Sequence, residues 1–205
     1  MTIEITPQRF LQHPEELSIT DDELVADLTW PYSADAAPAP AEPAQPERTR
    51  TITWEDPLAG VARRRTMSGR EYLEAMQRGE LPPPPMAQLM DIDIVEVGDG
   101  RATFEGRPGE QHYNPIGVVH GGLAMTLLDS AMGCCVHTRL PANAGYTTLE
   151  VKANLVRAIT AKTGTIRATG RVIHFGGKTA TAEARLEDAA GKLYAHGTTT
   201  CIILG

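Results

Sequence analysis

The chain predicts an α+β domain in which a strongly curved antiparallel β-sheet wraps around one long central helix. Three observations lead there. Six stretches have strand character: 92–97, 101–105, about 147–155, 164–173, 178–187 and 192–203. Short turns between successive stretches, such as Gly98-Asp-Gly100 and Asp188-Ala-Ala-Gly191, favour antiparallel pairing. Between the second and third strands lies one apolar helix, Leu123 to about His137. The order is β-β-α-β-β-β-β. A sheet of this kind must cover one face, and this helix is the only large cover available.

The elements follow in chain order. Residues 1–30 hold a weak helical pattern around Asp21-Asp-Glu-Leu-Val-Ala-Asp-Leu28. Residues 31–47 are dominated by Pro, Ala and acids, the composition of an extended linker without its own core. Residues 1–47 are therefore read as an acidic, Pro/Ala-rich, largely disordered tail. Residues 48–85 form an N-terminal strand/helix extension. Thr51-Ile-Thr-Trp54 has the β-branched and aromatic character of a short strand. Ser68, followed three residues later by Glu71, is a helix-start pattern, and Gly79 should end that helix. Tyr72, Leu73 and Met76 give it an apolar stripe. Pro82–Pro85 predict a rigid extended spacer and Met86–Leu89 a short helical turn. Residues 86–205 make the main domain.

Composition narrows the function classes. Hydrophobic residues are 41% and charged residues 22%, the profile of a globular domain. The net charge of −7 belongs to residues 1–50, which hold 3 Lys/Arg and 10 Asp/Glu; the rest carries 16 of each. A neutral body without a basic stripe argues against nucleic acid as a partner. Arg63-Arg-Arg65 reads as a solvated face. No apolar run approaches the ~18 residues a membrane span needs, and the polar, acidic N-terminus does not look like a signal peptide. Cys134, Cys135 and Cys201 are an odd count without Cys-x-x-Cys spacing. They read as buried small hydrophobes in a reducing cytoplasm.

The chemistry concentrates in Asn114-Pro-Ile-Gly117-Val-Val-His120-Gly121-Gly122, which runs into the apolar helix. A glycine-rich turn at a helix start offers free N–H groups and suits negative charge. The helix carries one acid, Asp129, among Leu127, Leu128, Ala131 and Met132. A lone carboxylate in an apolar helix needs a reason. An oxyanion site beside a base or nucleophile means acyl chemistry. The other histidines, His112, His137, His174 and His196, show no His-x-x-x-His spacing, so no metal is expected. Ser130 lacks the Gly-x-Ser-x-Gly setting of a serine hydrolase.

Asn114-x-x-Gly117-x-x-His120-Gly121-Gly122 with Asp129 inside the helix resembles the hotdog-fold thioesterases, specifically the phenylacetate-pathway (PaaI-type) acyl-CoA thioesterases. The strand Thr147–Arg157, the start Gly176-Gly-Lys-Thr179 and the stretch Gly191–Thr198 agree with it. The resemblance spans about residues 85–205. It implies an acyl-CoA substrate, no metal or redox cofactor, and coenzyme A only as part of the substrate. It implies that the Gly121 N–H stabilises the oxyanion, with Gly122 in the same binding turn. Asn114 assists at the carbonyl or orients water, and His120 holds the turn or meets the leaving sulfur. Asp129 is the general base or the nucleophile. Thr148 matches a position where the family often has a hydroxyl. Gly176 and Gly177 match a backbone that binds the pantetheine arm, with Lys178 and Arg157 placed to meet phosphates.

Helix geometry constrains those roles independently. His120 and Asp129 are nine residues apart, ~13.5 Å along a helix axis, and point to opposite sides at 100° per residue. If both act on one carbonyl, they come from two protomers. The family's dimers, with sites at the dimer interface, meet that condition, and tetramers built from them are common. The rival reading is a non-catalytic acyl-CoA binding or sensing protein on the same fold, which has no need for Asp129. A hydratase would need an Asp and His close together before the helix, and that pair is absent.

Overall fold

The computed structural model describes residues 47–58 and 60–205. The weak helix expected near Asp21–Leu28 and nearly all of the expected tail lie outside them. Residues Arg50–Gly205 form one compact unit. Its elements are α1 (Gly69–Gln77), α2 (Pro85–Met90), β1 (Ile92–Gly98), β2 (Arg101–Gly106), α3 (Gly121–His137), β3 (Gly145–Leu155), β4 (Ile166–Phe175), β5 (Thr179–Asp188) and β6 (Leu193–Leu204). The six strands form one antiparallel sheet in the order β1-β2-β4-β5-β6-β3.

The local reasons for these elements are visible. The Ser68 side chain accepts the Glu71 N–H while the Glu71 carboxylate accepts the Ser68 N–H, closing a capping box at the start of α1. Gly79 ends it at φ +73°, a conformation open to glycine. Pro85 is the first residue of α2, not the last of the extended run, because its missing N–H is no loss there. The Asp99-Gly100 turn joins β1 to β2, with Gly100 at φ +64°. The strand expected at Thr51–Trp54 does not form. β-propensity alone cannot make a strand without a neighbour to pair with. Arg50, just before this segment, instead donates its guanidinium to the Gln88 carbonyl.

The core is the contact between α3 and the concave face of the sheet. Leu123, Leu127, Leu128, Ala131, Met132, Cys135 and Val136 of α3 are fully buried. The facing strands are rich in alanine: Ala102, Ala168, Ala180, Ala182, Ala184 and Ala195 are all buried. Small side chains let the helix lie close. At Gly170 a Cβ would sit 2.2 Å from the Ala131 carbonyl oxygen, so only glycine fits. The convex face carries charge instead, with ion pairs Arg167–Glu105, Arg171–Glu183 and Arg185–Glu187.

The N-terminal extension docks on the C-terminal end of α3. The Gly69 N–H donates to the Leu140 carbonyl at 2.9 Å. His137 stacks at a tilt between Tyr72 and Tyr146, with ring centroids 5.8 and 5.5 Å away. Burial, with a contribution from Arg64, pulls its pKa from 6.5 to about 4.

Two stability predictions arise from this packing. Gly170→Ala should destabilise the fold by about 1–3 kcal/mol in urea unfolding, because backbone must move to admit a methyl. Gly177→Ala, with open space around it, should change stability by less than ~0.5 kcal/mol. The second prediction concerns pH. Between about pH 6.5 and about pH 4 the unfolded chain protonates His137 while the folded chain does not. Its contribution is therefore intact above the unfolded value and lost as pH falls through that window, by up to roughly 3 kcal/mol. Unfolding curves of wild type and His137→Phe across it should show the shallower pH dependence in the variant.

Candidate active site at the ends of the central helix

The turn before α3 is built to expose one N–H. His120 is the N-cap, with φ −60° and ψ 135°, and its Nδ1 accepts the Gly122 N–H at 2.9 Å. A Cβ on Gly122 would meet that nitrogen at 2.8 Å, so glycine is what lets the imidazole fold over the turn. The His120 N–H donates to His112 O at 2.7 Å and the Val119 N–H to Ile159 O at 2.9 Å, which anchors the turn from both sides. The Gly121 N–H has no acceptor among the described residues. Asn114 organises the approach. Its Oδ1 accepts the N–H groups of Ile116 and Val118 at 3.1 and 3.3 Å. Its carboxamide NH2 stays available as a donor.

Asn114, His120, Gly121 and Arg157 line one cavity of about 280 Å³, together with Leu155 and Tyr194. Arg157 is exposed at its side. Four of the site residues expected from sequence thus come together around the free N–H of Gly121.

Asp129 lies elsewhere. It is half-buried on the side of α3 that the sheet leaves uncovered, in line with Met125, Thr126 and Ser130, and it does not line the Gly121 cavity. Thr148 Oγ1 donates to Asp129 Oδ1 at 3.1 Å. Thr148 reaches the helix because β3 bulges: its register shifts between Thr148 and Glu150, leaving Leu149 as the extra residue. Before the bulge Tyr146 and Thr148 are half-buried; after it Val151 and Ala153 are. The bulge reverses which alternate residues face the helix, and so aims Thr148 at the carboxylate.

The neighbouring acids are inert. Burial pushes the thiols of Cys134 and Cys135 up to about 12, raises Cys201, and raises the Tyr146 hydroxyl well above its usual range. Buried, protonated thiols are poor nucleophiles. Among the described residues no cluster of His, Cys, Asp or Glu could hold a metal ion, and no helix is long and apolar enough to cross a membrane. Gly176, Gly177 and Lys178 form the turn between β4 and β5, where the Gly176 N–H donates to Thr179 O. They do not line the Gly121 cavity.

Tyr146 was not legible as a site neighbour in the sequence. One signal existed: Gly133 stands in mid-helix, where glycine is costly, and a Cβ there would meet the Tyr146 hydroxyl at 2.7 Å.

A helix cupped by a six-stranded antiparallel sheet, with a free N–H at its start and a carboxylate along its length, defines a hotdog-fold enzyme of acyl chemistry. The comparisons agree: residues 116–195 match the thioesterase superfamily, and the chain belongs to that family. It is 31% identical over 134 residues to human acyl-coenzyme A thioesterase 13, a match covering 64% of this chain and 91% of the relative. It is 28% identical to a 1,4-dihydroxy-2-naphthoyl-CoA hydrolase of Listeria monocytogenes, over 53% of this chain and 86% of that one. Among solved structures, a phenylacetic acid degradation-related protein of Ralstonia eutropha superposes with a TM-score of 0.58 at 28% identity, covering 64% of this chain and 98% of that one.

Proposed function

We infer that the protein is an acyl-CoA thioesterase that hydrolyses a thioester to the free acid and coenzyme A. The observation that carries this reading is the pair formed by the unpaired Gly121 N–H at the start of α3 and the Thr148-held Asp129 on its uncovered side. The Gly121 N–H, at the positive end of the helix dipole, stabilises the oxyanion as the carbonyl is attacked. The Asn114 amide donates to the same oxygen or orients the water. His120 holds the turn that exposes Gly121. Asp129 takes a proton from water or attacks the carbonyl itself, and Thr148 fixes its carboxylate. The Arg157 guanidinium at the Gly121 cavity supplies positive charge for coenzyme A phosphates, and Lys178 adds more from the β4–β5 turn. The backbone of Gly122, Gly176 and Gly177 gives the pantetheine arm room. The chemistry calls for no metal and no redox cofactor. The three free cysteines fit a reducing compartment, the cytoplasm.

The assembly that this reading requires is a homodimer with two shared sites, alone or paired into a tetramer. Asp129 does not line the Gly121 cavity of its own protomer, and α3 cannot bend one to the other. β3 is an outer strand of the sheet with Leu149 and Leu155 exposed at 58% and 55%. A second copy laid along this strand would bring its Asp129 toward the first copy's Gly121.

Free-thiol release from a panel of acyl-CoA thioesters is the direct test. Asp129→Asn should lower turnover at least ~10²-fold, the lower range for base catalysis, with binding of a thioether analogue retained. Near-wild-type release by this variant would end the assigned role. Sharing between protomers has its own test. Asn114→Ala and Asp129→Asn, each impaired alone, should regain activity when unfolded and refolded together, because mixed dimers contain one intact site. No regain in verified mixed dimers would place the whole site in one chain.

A further inference from the structure

The two donors of the proposed oxyanion site belong to the two ends of one short loop. Asn114 stands near its start, and Gly121 follows its end. A small ladder closes the loop between them. The His120 N–H donates to the His112 carbonyl at 2.7 Å, Tyr113 and Val119 form an antiparallel bridge, and the Asn114 N–H donates to Val118 O at 2.8 Å. His112 is the residue against which the base of this loop closes. It ends the single helical turn Glu110–His112, and its ring folds back so that Nδ1 accepts the Gly109 N–H at 3.1 Å.

A ring nitrogen that accepts an N–H carries no proton itself, so this ring is neutral and bears its proton on Nε2. Nε2 is buried and has no hydrogen-bond partner among the described residues. A stranded buried donor calls for a reason. The reason at hand is that the ring, 9% exposed, is placed for its other nitrogen. A second proton would turn a donor toward the Gly109 N–H, and that contact would be lost. Burial foremost, and then Arg50, lowers the pKa of His112 below 6.5, while Asp91 opposes them. Arg50 comes from the segment ahead of α1. Asp91 caps α2, with its carboxylate 4.0 Å from Arg50 and 3.7 Å from Arg107. On the turn that holds His112, Glu110 is exposed.

Resting on the thioesterase reading, we propose that His112 is a positioning residue for the oxyanion site: its neutral imidazole ties the Gly109 turn to the base of the loop and so sets where the Asn114 carboxamide and the Gly121 N–H point. It touches no substrate and acts through the loop. Oxyanion binding is realised in the transition state, so loosening the loop lowers kcat and leaves KM nearly unchanged.

The test is kcat and KM for free-thiol release by the full chain, on the acyl-CoA that wild type hydrolyses fastest, with circular dichroism alongside. His112→Leu fills the space without an acceptor; it should lower kcat at least ~10-fold and change KM less than ~3-fold. His112→Asn puts Oδ1 where Nδ1 stands and should restore most of kcat. The pH profile separates positioning from folding. Wild-type kcat should fall reversibly below pH 6.5, as His112 gains its second proton, with the circular dichroism unchanged. In His112→Asn, which has no proton to gain there, the fall should move to lower pH. If His112→Leu does not fold, the profiles of wild type and His112→Asn decide alone. Wild-type kcat in folded His112→Leu, superposable profiles, or losses that only track the unfolded fraction overturn the positioning role and leave the hydrolase reading standing. No thiol release by wild type from any thioester overturns both.

Discussion

The close contact between α3 and the sheet is the constraint on which the rest depends. An apolar helix can be swallowed by a sheet only if the sheet curves and its inner side chains are small. Here they are alanines, and Gly170 lets strand backbone approach helix backbone directly. Because one side of α3 is buried so completely, every polar group on it must lie on the remaining line or at its ends. The helix start, with its unpaired N–H, and Asp129 are where this division leaves room for them.

That division also keeps the two groups of the proposed site apart. A rigid helix holds Gly121 and Asp129, eight residues apart, about 12 Å from each other along its axis. The two halves of the site cannot drift together through loop motion, because the turn at His120 is pinned by His112 and Ile159 and the carboxylate by Thr148. Rigid placement is what electrostatic stabilisation of an oxyanion needs. The cost is that one protomer holds only half of each proposed site. On the proposed reading catalysis requires a second copy, and the exposed outer strand β3, whose bulge aims Thr148 at Asp129, is the edge that copy would use.

Much of this was legible in the sequence, and the parts that were not share a cause. The capping box at Ser68, the glycine stop at Gly79, the Asp99-Gly100 turn and the apolar run of α3 are local signals, and each appears where its residues predict. Thr51–Trp54 has equally good local propensity but no strand to pair with, so propensity alone misleads there. The bulge at Leu149 leaves no local mark, since Tyr146 to Ala153 reads as a plain strand and only pairing with β6 shows the extra residue. Among site residues, Asn114, His120, Gly121 and Arg157 meet through one contiguous turn and the end of β3. The cavity between the N-terminal extension and α3 brings together Met76 and His137, 61 positions apart, and no spacing rule reports such a meeting.

Burial also supports Asp129 as the reacting group of the proposed mechanism. Several groups near the uncovered side of α3 could be asked to do chemistry: Cys134, Tyr146, Cys201 and Asp129. Burial holds the first three in their protonated forms. Asp129 makes one hydrogen bond, through Oδ1 to Thr148, which leaves Oδ2 without a partner among the described residues. One oxygen oriented and one free is an arrangement that suits a base or nucleophile. The same burial that makes α3 the core thus favours Asp129 over its neighbours for the proposed chemistry.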